Sequence, residues 1–171
     1  MNKTWRAAVL SSLLGGVAFL VLQMTLVPLL TSSGPLAPLR WTASLVLGAR
    51  ALAGPFDATT LAVGLAVHAV LSIVYGVLLV GVVHRWFAEK SGPGVIAGAM
   101  YGFLLYIVNF GLLVAVFPQF SGAPAGAGVL SHIAFGVLTV AIYQALLRTR
   151  DARGGVTPPS SWLWRRPRAA R

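Results

Sequence analysis

Apolar residues run without a formal charge over four stretches of the chain, 7–30, 61–83, 95–117 and 128–147. A bilayer core takes about 20 apolar residues in helical form, so each run is long enough to cross one. Barrel strands would be near 10 residues long and would alternate in polarity, and these runs do neither. The pattern predicts an all-α integral membrane four-helix bundle over residues 1–150, followed by a basic tail over 151–171.

Within the runs, the small and polar residues recur at helical spacing and share one stripe per span. The first stripe is Ser12, Gly16, Phe19 and Gln23, and the second is Gly64, His68, Ser72 and Tyr75. The third holds Gly94, Gly98, Tyr101, Gly102 and Asn109, and the fourth Gly128, His132, Phe135, Thr139 and Tyr143. Such stripes mark the side of a membrane helix that faces other helices, while the Leu, Val and Ile remainder faces lipid. The tandem Gly94, Gly98 and Gly102 is the clearest signal of close packing, whether within one chain or between copies. Ser72, Tyr75 and Gly76 in the second run echo His132, Phe135 and Gly136 in the fourth, a weak trace of repeated hairpins.

The connections differ in length. Residues 31–60 form the one long loop, and its middle, from Pro38 to Ala53, places Pro near a helix start ahead of Trp41, Leu45, Val46 and Leu47. That segment reads either as a short amphipathic helix in the interface, with Trp41 at headgroup level, or as an irregular loop. Asp57 stands where it can cap the N-terminus of the second span. Residues 85–94 and 118–127 are short turns rich in Gly, Pro and Ser. The first run is preceded by Lys3 and Arg6 but exceeds the 7–15 apolar residues, roughly, of a secretory signal, so it reads as an uncleaved anchor.

Charge then orients the bundle. Four spans leave both termini on one side; that side carries 11 of the 13 basic residues, and the other only Arg40 and Arg50. The positive-inside bias predicts cytoplasmic termini. Asp57, Glu89 and Asp151 are the only acids, and 57% of residues are hydrophobic against 9% charged. Intrinsic disorder and an ordinary water-soluble enzyme are excluded on that composition. A net charge of +10 would suit nucleic acid, but the spans make the bilayer the partner. Trp162, Trp164, Arg165 and Arg166 in the tail could hold anionic lipid headgroups, or serve only to set topology. With no cysteine there is neither disulfide nor thiolate chemistry.

Candidate chemistry lies at one depth. Gln23, His68, Asn109 and His132 each fall roughly 6–12 Å below the expected outer surface at about 1.5 Å per residue. Converging stripes would gather them, with Ser72, Tyr75 and Tyr101, into a polar cluster in the outer half of the bundle. Such groups can simply bond across helices, or they can mark a functional site, as ionisable residues at depth tend to do. Two facing imidazoles, His68 and His132, would be enough for axial ligation of haem b, while two His without Cys or carboxylate make a poor zinc site. His84, beside Arg85 and Trp86, reads as a solvated boundary residue. Nucleotide loops, Rossmann glycines, Gly-x-Ser-x-Gly and His-Glu-x-x-His are all absent, and no carboxylate pair lies at depth, so catalysis is not expected.

Several of these residues together resemble a family of small bacterial four-span inner-membrane proteins. The likeness rests on Phe56-Asp57, on His68 with Ser72, Tyr75 and Gly76, on Tyr106, Asn109 and Phe110, on Phe117-Pro118, and on His132 with Phe135 and Gly136. It spans roughly residues 11–147 and implies the same architecture and polar positions, with no established activity. Some members carry a sodium:proline symporter label, which this sequence does not support, because such symporters resemble larger bundles with broken helices. Three roles follow as expectations: a structural or interaction protein whose polar layer serves packing; an oligomeric unit for small-solute or proton-coupled transport; and, last, a haem-b electron carrier.

Overall fold

A computed structural model describes residues 3–87, 91–121 and 123–153, and among them there are helices and turns but no strand. The helices are α1 (Lys3–Leu30), α2 (Ala37–Leu47), α3 (Arg50–Ala53), α4 (Ala58–Phe87), α5 (Ser91–Ile107) and α6 (Ala125–Arg153). Four of them, α1, α4, α5 and α6, are long and apolar enough to cross a membrane. The chain is thus an all-α four-helix bundle and a multi-pass membrane protein, as the hydrophobic pattern predicts. The lipid-binding reading of the tail falls at 162–166, outside the described residues.

α6 is the central helix. It packs along α1 on one side and α5 on the other, while α4 packs on α1 and α2 and meets α5 only sparsely. Without a hydrophobic driving force between helices in lipid, close approach depends on small residues. A Cβ on Gly102 would collide with the His132 carbonyl oxygen and lie 2.9 Å from Ile133 Cα, and one on Gly98 would lie 2.6 Å from the Gly136 carbonyl oxygen. The tandem glycines therefore make a contact within the chain, between α5 and α6. On α1, adjacent glycines serve two neighbours: Gly15 meets Thr139 of α6, and Gly16 meets Ser72 of α4. Near the termini the bundle is filled solid by Ala7, Ala8, Val80 and Tyr143 and by Leu79, Val83 and Val140.

The connection between α1 and α4 forms helix as well as loop. α2 is helical, stopped by Gly48 at φ 64, and α3 adds one further turn. One face of α2 packs on the bundle: Pro38, Leu39, Ala43 and Ser44 are buried and the Leu39 carbonyl sits over Gly64 of α4. The Arg40 guanidinium ties the segment down by donating from Nη1 to the carbonyls of Ala51 (3.0 Å) and Gly54 (2.7 Å), and it stacks 5.4 Å from the Phe56 ring. Asp57 caps α4 as expected: its Oδ1 accepts the Thr60 backbone N–H at 2.7 Å. That bond holds the exposed Asp57 carboxyl below the usual carboxylate range.

The third span departs most from expectation. α5 stops at Ile107, and the chain continues as a π-turn over Val108–Leu112 and short 3₁₀ turns at Leu113–Ala115 and Pro118–Phe120, rather than as α-helix to 117. The apolar run measured length and missed this interruption. Pro28, the one visible breaker in the sequence, lies inside α1 without ending it, because it falls in the last turn, where few later residues depend on the lost bond. α1, α4 and α6 all extend past their apolar runs, by up to several residues.

Candidate ligand cavity

At the end of the bundle far from the termini, the helices part around a cavity of about 400 Å³. Gln23, His68, Ser72, Tyr75, Asn109 and His132 all line it, so the polar stripes of the four spans do converge. Tyr101 does not line it; its hydroxyl donates to the Tyr75 carbonyl at 2.9 Å, below the cavity. Most of the wall is aromatic or aliphatic, including Phe19, Trp41, Phe110, Phe117, Phe120 and Phe135. Trp41 faces this space, because α2 folds over the bundle and presents Pro38, Trp41, Thr42 and Leu45 to it. Ser72 and His132, matched in the repeat echo, both belong to the lining.

One hydrogen-bonded chain crosses the site. His132 Nδ1 lies 2.7 Å from the Gly128 carbonyl, which can only accept, so Nδ1 carries the proton. Nε2 of the neutral ring then accepts from Asn109 Nδ2 at 3.0 Å, and Asn109 Oδ1 accepts from the Tyr75 hydroxyl at 3.1 Å. Asn109 can face both partners because it sits in the π-turn, where the helical register slips by one residue; such insertions gather at functional sites. The His132 ring is boxed by edge contacts with Phe19, Tyr106 and Phe110.

His68 is held separately. Its Nε2 lies 2.8 Å from the Gly16 carbonyl and so is the protonated nitrogen, while Ser72 Oγ donates to the His68 carbonyl at 2.7 Å. Gly16 makes this bond accessible, since a side chain there would strike Ser72. Gln23, 5% exposed, donates from Nε2 to the Ala127 carbonyl at 3.3 Å and joins α1 to the start of α6. On the far side of α2, Gln119 Nε2 donates to Ser44 Oγ at 3.1 Å, linking the turn after α5 to the roof.

This geometry does not fit haem. Both nitrogens of His132 are committed, to Gly128 and Asn109, and His68 Nε2 is committed to Gly16. Phe19 packs against both imidazoles, with centroids at 5.5 and 4.8 Å, so the rings do not present two free nitrogens to one iron. Among the described residues no three of His, Cys, Asp or Glu group together as a metal site. At the opposite end, the exposed His84 ring does more than meet solvent: its Nδ1 lies 2.8 Å from the hydroxyl of the fully buried Tyr143.

The sequence missed the aromatic wall, the roof and the Gln119–Ser44 link. Phe19 and Phe135 do stand on the inward stripes read from the sequence, but in an apolar run an aromatic side chain does not announce a cavity. Gln119 lies in a short turn whose partner is 75 residues away, and nothing local points to it. Comparison of the chain with protein-family models, with curated proteins and with solved structures finds no match.

Proposed function

We propose that this membrane protein binds a small molecule in the half of its bundle away from the termini, and that the polar layer reads that molecule's polar end. The observation that carries the reading is the coincidence of the cavity with polar side chains from all four spans. Binding sites typically combine a largely apolar wall with a few convergent polar groups in a volume of roughly 300–1,000 Å³. Among the described residues the lining holds no carboxylate, and its two imidazoles are held by hydrogen bonds to backbone carbonyls, which favours binding over catalysis.

A structural or interaction role is the second reading, favoured by the direct bonds that tie His68 to α1 and Gln23 to α6. The two are separable, because a packing layer needs no open volume. Transport by a single chain is disfavoured by the solid filling near the termini; flux would need an oligomer. The charge distribution supports cytoplasmic termini, with the cavity in the outer leaflet and the tail against anionic lipid, and the family resemblance supports a bacterial inner membrane.

The test is native mass spectrometry of the protein released from mild detergent. A small molecule bound one per chain, lost when Phe135→Trp fills the cavity, is the expected result. Chain that carries only detergent and phospholipid, and whose thermal unfolding no added lipophile shifts, would overturn the reading in favour of packing.

A further inference from the structure

The chemistry left unused on the cavity wall defines what the cavity can take, and the following rests on the binding reading above. Among the described residues no Asp, Glu, Lys or Arg lines the cavity. A charged head would lose its hydration at membrane depth and meet no opposite charge, so an uncharged ligand is favoured. The same point weighs against a zwitterionic amino acid.

Hydrogen-bonding capacity narrows the class further. Asn109 uses one amide N–H on His132 and keeps a second. Gln23 uses one N–H on Ala127 and keeps the other, together with its carbonyl oxygen. His68 donates through Nε2, which leaves Nδ1 as an acceptor. The wall thus offers both donors and acceptors, and the smallest neutral head that answers both is a hydroxyl. Around it stand the rings of Phe19, Trp41, Phe110, Phe117 and Phe120, surfaces that favour a flat aromatic body in offset or edge contact.

The route in follows from the packing. α2 covers the end of the cavity away from the termini, and the Gln119–Ser44 bond behind it ties α2 to the turn after α5. The sparsely packed seam is between α4 and α5, where half-buried Leu71, Tyr75 and Asn109 line the cavity. Two side-chain hydrogen bonds cross it, from Tyr75 to Asn109 and from Tyr101 to the Tyr75 carbonyl, and a ligand entering from lipid would part them. We propose that the cavity binds an uncharged hydroxy-aromatic lipophile, of the phenol or quinol class, admitted from the bilayer between α4 and α5.

The test is calorimetric titration of the full chain in nanodiscs of neutral lipid, with empty discs subtracted. Three probes share one alkyl-aromatic body: para-hexylphenol, hexylbenzene and para-hexylbenzoate. Saturable binding of para-hexylphenol at one per chain is expected, with the other two about tenfold or more weaker, the worth of roughly one hydrogen bond. Gln23→Leu and Asn109→Leu should each bring para-hexylphenol down towards hexylbenzene. Equal binding of hexylbenzene, or tighter binding of the benzoate, overturns the hydroxy-aromatic class while leaving the cavity a binding site. Saturable binding of none of the three overturns both readings. Because the probe series is run on the unaltered chain, a variant that fails to fold does not blunt the test.

Discussion

Asn109 joins three elements through a single side chain. Its amide is the one group that can accept from Tyr75 and donate to His132 at the same time, and its orientation is fixed by the Gly128 carbonyl beyond the imidazole. Leu at this position would strand the Tyr75 hydroxyl and His132 Nε2 in a low-dielectric wall. Interhelical hydrogen bonds in membranes average only about 0.6 kcal/mol, but leaving a buried polar group unpaired costs about 1–3 kcal/mol. Asn109→Leu is therefore expected to destabilise the bundle by about 1–3 kcal/mol, read by unfolding in mixed micelles; a change within error would mean that water or a bound molecule already satisfies those groups. At this scale the sequence was informative. Polar side chains in an apolar run stand out, and depth put Gln23, His68, Asn109 and His132 in one layer. Spacing could not say which partner each would take, because that depends on helix rotation and on the slip at the π-turn. Tyr101 shows the limit: it shares a stripe with Asn109 on an ideal helix, yet it bonds backbone outside the cavity.

Between elements, glycine decides how closely helices approach, and the structure separates glycines that matter from those that do not. Gly102 faces the backbone of α6, which cannot yield, whereas a Cβ on Gly81 of α4 would meet nothing within 4 Å. Gly102→Ala should force α5 from α6 and cost about 1–3 kcal/mol, as overpacking does. Gly81→Ala should leave stability unchanged or raise it by up to about 1 kcal/mol through helix propensity. Both are read by the same micelle unfolding, and equal effects would show that the α5–α6 contact is not the close approach described. The glycine tandem was legible as a packing face, but its partner was not, since a small-residue stripe looks the same against α6 or a second copy. The end of α5 was not legible either. From Val108 to Phe117 the chain stays apolar apart from Asn109, with Gly111 as the one weak helix former, and hydropathy reads length rather than register. What offsets the lost helical bonds is tertiary: Asn109 finds partners on α4 and α6 only with the helix unwound there.

For the whole molecule, asymmetry along the bundle axis is the organising feature. One end is filled by small and branched side chains and the ring of Tyr143, the other opens around the cavity under α2. Which leaflet the cavity meets depends on topology, and charge alone argues for it: 11 of 13 basic residues lie on the side of the termini. The absence of native cysteine makes that argument directly testable. Gly34, in the loop ahead of α2, and Gly92, at the start of α5, are exposed, and a Cβ on either would meet nothing within 4 Å. They lie at opposite ends of the bundle, so a single cysteine at each reports one face. In intact spheroplasts a membrane-impermeant maleimide should label Gly34→Cys, and should label Gly92→Cys only after permeabilisation. The reverse pattern would put the cavity in the cytoplasmic leaflet, and any ligand drawn through the α4–α5 seam would then come from the lipids of that side. Equal labelling of both in intact cells would mean that the chain inserts in two orientations, which a bias of eleven cations to two should prevent.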